Sequence, residues 1–208
     1  MWSWIIVACT MLSMMNACGS SRPLPTAQDK PTQIVQQAAG SVSPIQRLRM
    51  QAERGDVEAQ FALAQAHDRG RDVPKDKTEA VRLYRLAATQ GDTFAQNALG
   101  DKYWEGTGVP KDDTQAVRWW RLAAAQGFAP AQHSLGKILS GGGQGVPTDK
   151  TQAYMWLALS AAQGDEEAGR QGDLLAKQLK PAEMTNAKKQ VKQWKPSRAS
   201  VMNNKIAK

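Results

Sequence analysis

The chain has little to offer a metal or redox centre. Of its 208 residues two are Cys, Cys9 and Cys18, and two are His, His67 and His133. Both cysteines fall in the first eighteen positions, which excludes a disulfide scaffold or a paired-cysteine zinc module in the body. Two histidines far apart in sequence make a His-rich metal site untenable, so no metal and no cofactor is expected. Aromatic residues are also scarce, at 6%, and seven of them are Trp. Alanine must therefore fill much of any core. Apolar residues at 41% and charged residues at 22% otherwise match an ordinary globular chain of one domain, or two small ones.

A net charge of +8 at first suggests a nucleic-acid partner. Its distribution removes that reading. Of the 27 bases and 19 acids, nine and one lie in residues 177–208, leaving eighteen of each in the rest. The body is neutral and the tail is basic, so no nucleic acid is expected.

Residues 2–15 form an uncharged apolar run that is too short for a stable spanning helix. Asn16, Ala17, Cys18, Gly19, Ser20 and Ser21 follow. Small residues closing an apolar run fit a secretory signal. The Ala17–Cys18 junction resembles the lipobox of bacterial lipoproteins, in which the cysteine is acylated and becomes the mature N-terminus. The segment before the run carries no Lys or Arg, and Met15 and Asn16 depart from the usual lipobox residues. The resemblance implies a periplasmic protein anchored by lipid at Cys18 to the outer membrane; plain secretion or an inner-membrane tether is the alternative. Residues 19–44, rich in Ser, Pro, Gln and Thr, read as a flexible tether.

The body is periodic. Gly55, Gly91, Gly127 and Gly164 are spaced by 36, 36 and 37 residues, and the same words recur between them. Ala59-Gln60, Ala95-Gln96 and Ala131-Gln132 open each unit. Val73-Pro74, Val109-Pro110 and Val146-Pro147 mark its middle, and Ala87-Ala88, Ala123-Ala124 and Ala161-Ala162 close it. Such a period with helical apolar spacing predicts a pair of antiparallel helices per unit. First helices are expected over 57–69, 93–105 and 129–140, ending at Gly70, Gly106 and Gly141–Gly143. Val-Pro then forces an extended link, and Asp76, Asp112 and Asp149 are suited to cap the second helix. Asp56, Asp92 and Asp165 can cap the helix that follows each glycine. Ala59, Ala62, Ala95, Ala98 and Gly100 permit close helix approach, with Tyr84, Trp119, Trp120 and Trp156 wedged between units.

The run from Leu99 through Gly106-Thr107-Gly108-Val109-Pro110-Lys111-Asp112, followed by Ala116-Val117-Arg118-Trp119-Trp120 and closed by Gly127, resembles the Sel-one-like repeat (SLR), a relative of the tetratricopeptide repeat. The resemblance covers about 55–164. It implies an all-α fold, an α-solenoid of antiparallel helix pairs with three full repeats (55–90, 91–126, 127–163) plus helical caps. Repeat 1 departs with Asp72 in place of the second turn glycine, a backbone position that Asp tolerates better than most residues. Residues 45–54 read as an N-terminal cap helix, 165–195 as two C-terminal capping helices, and 196–208 as a disordered basic tail.

Candidate chemistry is thin. Ser134-Leu135-Gly136-Lys137 spells the S-x-x-K of serine β-lactamases and penicillin-binding proteins. Ser134, however, occupies the slot of Ala62 and Ala98, and no S-D-N or K-T-G partner exists. Relatives tied to β-lactam binding carry a cysteine pair per repeat, which is lacking here. A hydrolase acting on β-lactams or peptidoglycan is therefore the alternative, not the expectation. The glycine run 141–145 lacks the Lys-Ser/Thr of a phosphate loop, and His133 has no acidic neighbour inferable from sequence. The basic tail could instead bind a cell-wall polymer or an anionic surface.

In related repeats the first helices line a concave groove. On that face, half a turn from the packed positions, lie Phe61, Gln65 and Asp68 in repeat 1; Phe94, Asn97, Asp101 and Trp104 in repeat 2; and His133 and Lys137 in repeat 3. These positions vary between repeats while the packing positions do not. Trp104 is the expected anchor, since Asp68 and Ser140 hold its slot elsewhere. The resemblance implies a protein-binding scaffold, with a peptide segment or helix as partner, and the caps suggest a monomer.

Overall fold

The computed structural model describes residues 42–197. Cys18, the apolar run before it, most of the tether and residues 198–208 lie outside the described residues. Nine helices and no β-strand are present among those described: α1 Pro44–Glu53, α2 Val57–Arg69, α3 Lys77–Thr89, α4 Thr93–Glu105, α5 Asp113–Ala125, α6 Ala129–Gly141, α7 Lys150–Ala161, α8 Glu166–Ala176 and α9 Pro181–Gln193. Successive helices pack on one another from α1 to α8, and α9 folds back on α7. The fold is an all-α solenoid of helix pairs. The first helices are α2, α4 and α6, the second helices α3, α5 and α7.

Local chemistry sets the ends. Asp56, Asp92 and Asp165 accept the N3 amide of α2, α4 and α8, and Asp76, Asp112 and Asp149 do so for α3, α5 and α7. Each satisfies an amide that the helix leaves free. α1 begins with Ser43 and Gln46 in a reciprocal capping box, so Pro44 is already helical rather than the last residue of a tether. Pro196 and Ser197, expected in a disordered tail, are ordered instead. The Ser197 amide donates to the Ala125 carbonyl at 2.8 Å, so the chain after α9 returns to the end of α5.

A buried glutamine joins three helices in every repeat. Gln60, Gln96 and Gln132 are at most 5% exposed. Their amides donate to the carbonyls of Ala52, Ala88 and Ala124 at 3.1–3.2 Å, at the ends of the preceding helices. Their oxygens accept from Gln90, Gln126 and Gln163, which close the second helix of the same repeat, at 2.8 Å. The core itself is built on alanine, with Tyr84, Trp119, Trp120 and Leu157 as its bulk.

Close approach is equally tight in repeats 2 and 3. A Cβ at Gly100 would sit 2.5 Å from the Trp120 ring, and one at Gly136 would sit 2.5 Å from Leu157. Repeat 1 places Ala64 and the smaller Tyr84 in these slots. The turn residue Asp72 is left-handed at φ 62°, as Gly108 is at φ 78°. Gly108 has no room for a side chain, because its Cβ would collide with the Lys77 carbonyl.

Gly100→Ala adds a methyl into the Trp120 ring. It is expected to lower unfolding stability by about 1–3 kcal/mol, although alanine is the better helix former. Urea denaturation measures this; a variant as stable as the parent would mean that the α4–α5 contact is loose.

Candidate functional site

The structure divides the expected groove residues. Phe61 and Phe94 come together; most of the others are engaged in packing. Phe61, Phe94 and Phe128 form a ladder across all three repeats, with ring centroids 6.0 Å apart in the first step and 5.2 Å in the second. Phe61 also leans on Tyr84 at 5.7 Å. Phe94, the middle rung, is 57% exposed.

The three rings do not occupy one repeat position. Phe61 is the fifth residue of α2, Phe94 the second of α4, and Phe128 the residue before α6. Their counterparts elsewhere are Asn97 and His133 for Phe61, Glu58 and Pro130 for Phe94, and Asp56 and Asp92 for Phe128. Repeat packing therefore demands a ring at none of these sites. Phe128 even replaces a capping aspartate, and α6 has no side-chain cap. Losing such a cap costs about 1 kcal/mol. Phe128 lies outside the helix, beyond the groove positions that helical spacing marks; the missing Asp after Gly127 is its signal in the sequence.

Trp104 is not a free anchor. Its ring lies 6.0 Å from Trp120, and the Lys111 amine sits 4.7 Å above it. It covers the turn as local packing. Asp101 is drawn inward as well, accepting the Trp120 indole N–H at 2.9 Å and the Asn97 amide at 3.0 Å. Burial, only partly offset by these bonds, pushes its carboxyl up to about 6. Asp68 is held by Lys102 of the next first helix, both carboxylate oxygens at 2.8 Å from the amine. Gln65 lies at the edge of a cleft beside α1, and Lys137 is exposed.

His133 does have an acidic neighbour, contrary to the sequence reading. Its Nδ1 is 2.7 Å from Asp165 Oδ2, which also receives the Ser160 hydroxyl at 2.9 Å. Burial pushes the Asp165 carboxyl upward, but the Ala168 amide, Ser160 and His133 outweigh it and hold its pKa below the ordinary value. The trio resembles a nucleophile relay only in composition. Ser160 is fully buried, and its hydroxyl faces the carboxylate and the Ala129 carbonyl rather than the imidazole. Asp165 is a helix cap tied to its neighbours.

The glycine-rich turn is likewise structural. Asp113, 4% exposed, accepts the Gln144 amide at 2.8 Å. A carboxylate occupies the place a phosphate would need. Among the described residues no cluster of three potential metal ligands exists, and no helix is long and apolar enough to cross a membrane.

Asp101 gives a pH test. Its folded pKa of about 6 exceeds the ordinary 3.8, so ionisation costs stability. That stability is fully present below about pH 4 and is lost as pH rises through about 6. Asp101→Asn should therefore raise stability at pH 7 by about 1–3 kcal/mol and converge with the parent near pH 4. Thermal unfolding at the two pH values decides; a constant difference would refute the shifted carboxyl.

The Sel1 repeat profile matches residues 57–92, 93–128 and 129–165, more than half of the chain. Among solved structures, the chain is similar to a Sel1 repeat protein from Oxalobacter formigenes, with 38% identity over 61% of this chain and 95% of that one, at a TM-score of 0.56. It is also similar to c5321, a protective antigen of uropathogenic Escherichia coli strains displaying an SLR fold. That match has 28% identity over 76% of this chain and 42% of the other, at a TM-score of 0.54. No curated protein matches. With three matched repeats laid on three observed helix pairs, the chain belongs to the Sel1 repeat family.

Proposed function

We propose that the chain is an envelope-anchored scaffold that holds a segment or helix of a partner protein against the concave face of its first helices. Sel1 repeat proteins are in general protein–protein interaction scaffolds. The observation that carries the reading here is the Phe61–Phe94–Phe128 ladder, three rings that repeat packing does not require and one that displaces a helix cap. An exposed aromatic flanked by half-buried ones is a suitable anchor for an apolar partner side chain. Non-catalytic action agrees with Ser134 standing in an alanine slot and with Lys137 pointing to solvent.

Photo-crosslinking tests the ladder. A photoreactive phenylalanine analogue at position 94 should trap a discrete protein in cells. Phe128→Asp, which gives α6 the cap that α2 and α4 carry, should abolish the adduct while leaving the fold intact. The analogue at Arg118, exposed on a second helix, should trap nothing comparable. A folded protein with no adduct from position 94, or the same adduct from position 118, would exclude the ladder as the contact surface.

The anchor in this reading is lipid on Cys18, motivated by the apolar run and the Ala17–Cys18 junction. Cys18→Ala should release the body from membranes or leave an unprocessed precursor. Membrane-bound, normally processed protein from that variant would overturn lipidation.

A further inference from the structure

A second recess lies away from the ladder. One repeat of 36 residues upstream of Lys77, which opens α3, is position 41, yet α1 opens at Pro44. The cap helix therefore starts three residues late, close to one turn. At the later junctions that first turn is filled and tightly covered. The Gly108 turn sits against Lys77, and the Gln144 turn sits against Asp113. At the first junction α1, opening at Pro44, does not supply it, and Asp72 carries a side chain where Gly108 cannot. Ala62, whose counterparts Ala98 and Ser134 are half-buried, is exposed there.

What remains is a cleft of about 600 Å³ between α1, α2 and the turn after α2. That volume is in the range of ligand sites. Ile45, Leu48, Ala62 and Ala66 provide apolar walls; Arg69 and Arg71 stand at its edge. Neither arginine has an ion-pair partner among the described residues. Asp72 is the single carboxylate in the lining. At the later junctions the corresponding place is taken by Lys77 and by Asp113, whose carboxylate accepts from the facing turn; at the first junction the facing groups are the cations Arg69 and Arg71, which call for an acidic occupant.

We infer that this cleft is a second binding site, for a partner segment carrying an acidic side chain beside an apolar one. The carboxylate pairs with Arg69 and Arg71, and the apolar group enters between Leu48 and Ala62. The site is independent of the phenylalanine ladder and stands or falls without it.

The test uses the full chain and 8-anilinonaphthalene-1-sulfonate, whose rings and sulfonate mimic the two halves of the ligand. Fluorescence should report one saturable site. Arg69→Gln with Arg71→Gln should weaken it by about tenfold, as loss of charge-assisted bonds implies. Ala62→Trp, a substitution at an exposed position, should fill the cleft and remove the site. Phe94→Ser should leave it within twofold of the parent, which separates this cleft from the ladder. A blocked Glu-Leu-Glu-Leu peptide should displace the dye, and Lys-Leu-Lys-Leu should not. The inference is overturned if the full chain shows no saturable site, as it would were its own residues before 42 seated there. It is equally overturned if the cleft variants bind as the parent does, or if both peptides or neither displace the dye.

Discussion

The fold rests on one buried carboxamide per repeat. A solenoid has no long-range closure, so each helix pair must be set against the next by local contacts alone. Alanine packing supplies area but little directionality. The glutamines at 60, 96 and 132 add direction: each binds a carbonyl at the end of the preceding helix and accepts from the glutamine that ends its own repeat. A buried amide that lost either partner would keep its desolvation cost, of order 1–3 kcal/mol. Sliding one repeat against the next breaks the bond to the preceding helix, while the bond within the repeat holds the glutamine aimed at it, so the stagger of the stack is fixed at every junction.

Once the stagger is fixed, the space between helix pairs becomes a constant that side chains must share. Repeat 2 fills it with Trp120 and yields Gly100; repeat 3 uses Leu157 and Gly136; repeat 1 uses Tyr84 and Ala64. An indole brings an N–H that must be satisfied when buried. Asp101 meets that need in repeat 2, while Gln65 and Lys137, facing no indole, hold the same slot elsewhere. The inward position of Asp101 is thus a consequence of choosing Trp for bulk, and its burial there is what raises the carboxyl.

This explains what could be read from the sequence. Helix pairs, their aspartate caps and the left-handed turn at Asp72 follow from nearest neighbours and a 36-residue period, and all are present in the structure. Residues that act across a junction were harder to read. Trp104 looked free because its equivalents Asp68 and Ser140 are small or polar, but Trp120 and Lys111, which cover it, lie on other elements. Asp68 looked like a groove residue because its partner Lys102 belongs to the next first helix. His133 looked isolated because Asp165 lies 32 residues on and was already assigned as a cap. The late start of α1 is visible only when the helix is laid over α3.

Departures from the repeat are therefore the places to look for function, provided packing does not account for them. Trp104, Asp101 and Asp68 depart, and packing accounts for each. The phenylalanines depart too, and packing accounts for Phe61 and Phe128 only in part and for Phe94 not at all. Their rungs fall by three residues and then two toward the helix N-termini, roughly 4.5 and 3 Å along the axis at 1.5 Å per residue. Successive rings reach one another only because each repeat uses a different position. A strictly periodic chain would place its rings at one position in every repeat, so this diagonal has to be written into each repeat separately. The cap lost at Phe128 runs against local stability, while Phe94 at the centre covers little of the core it stands on. Interactions within the fold explain the two ends of the ladder poorly and its middle not at all, and an apolar surface held in place against its own repeat pattern is what a binding site on this scaffold requires.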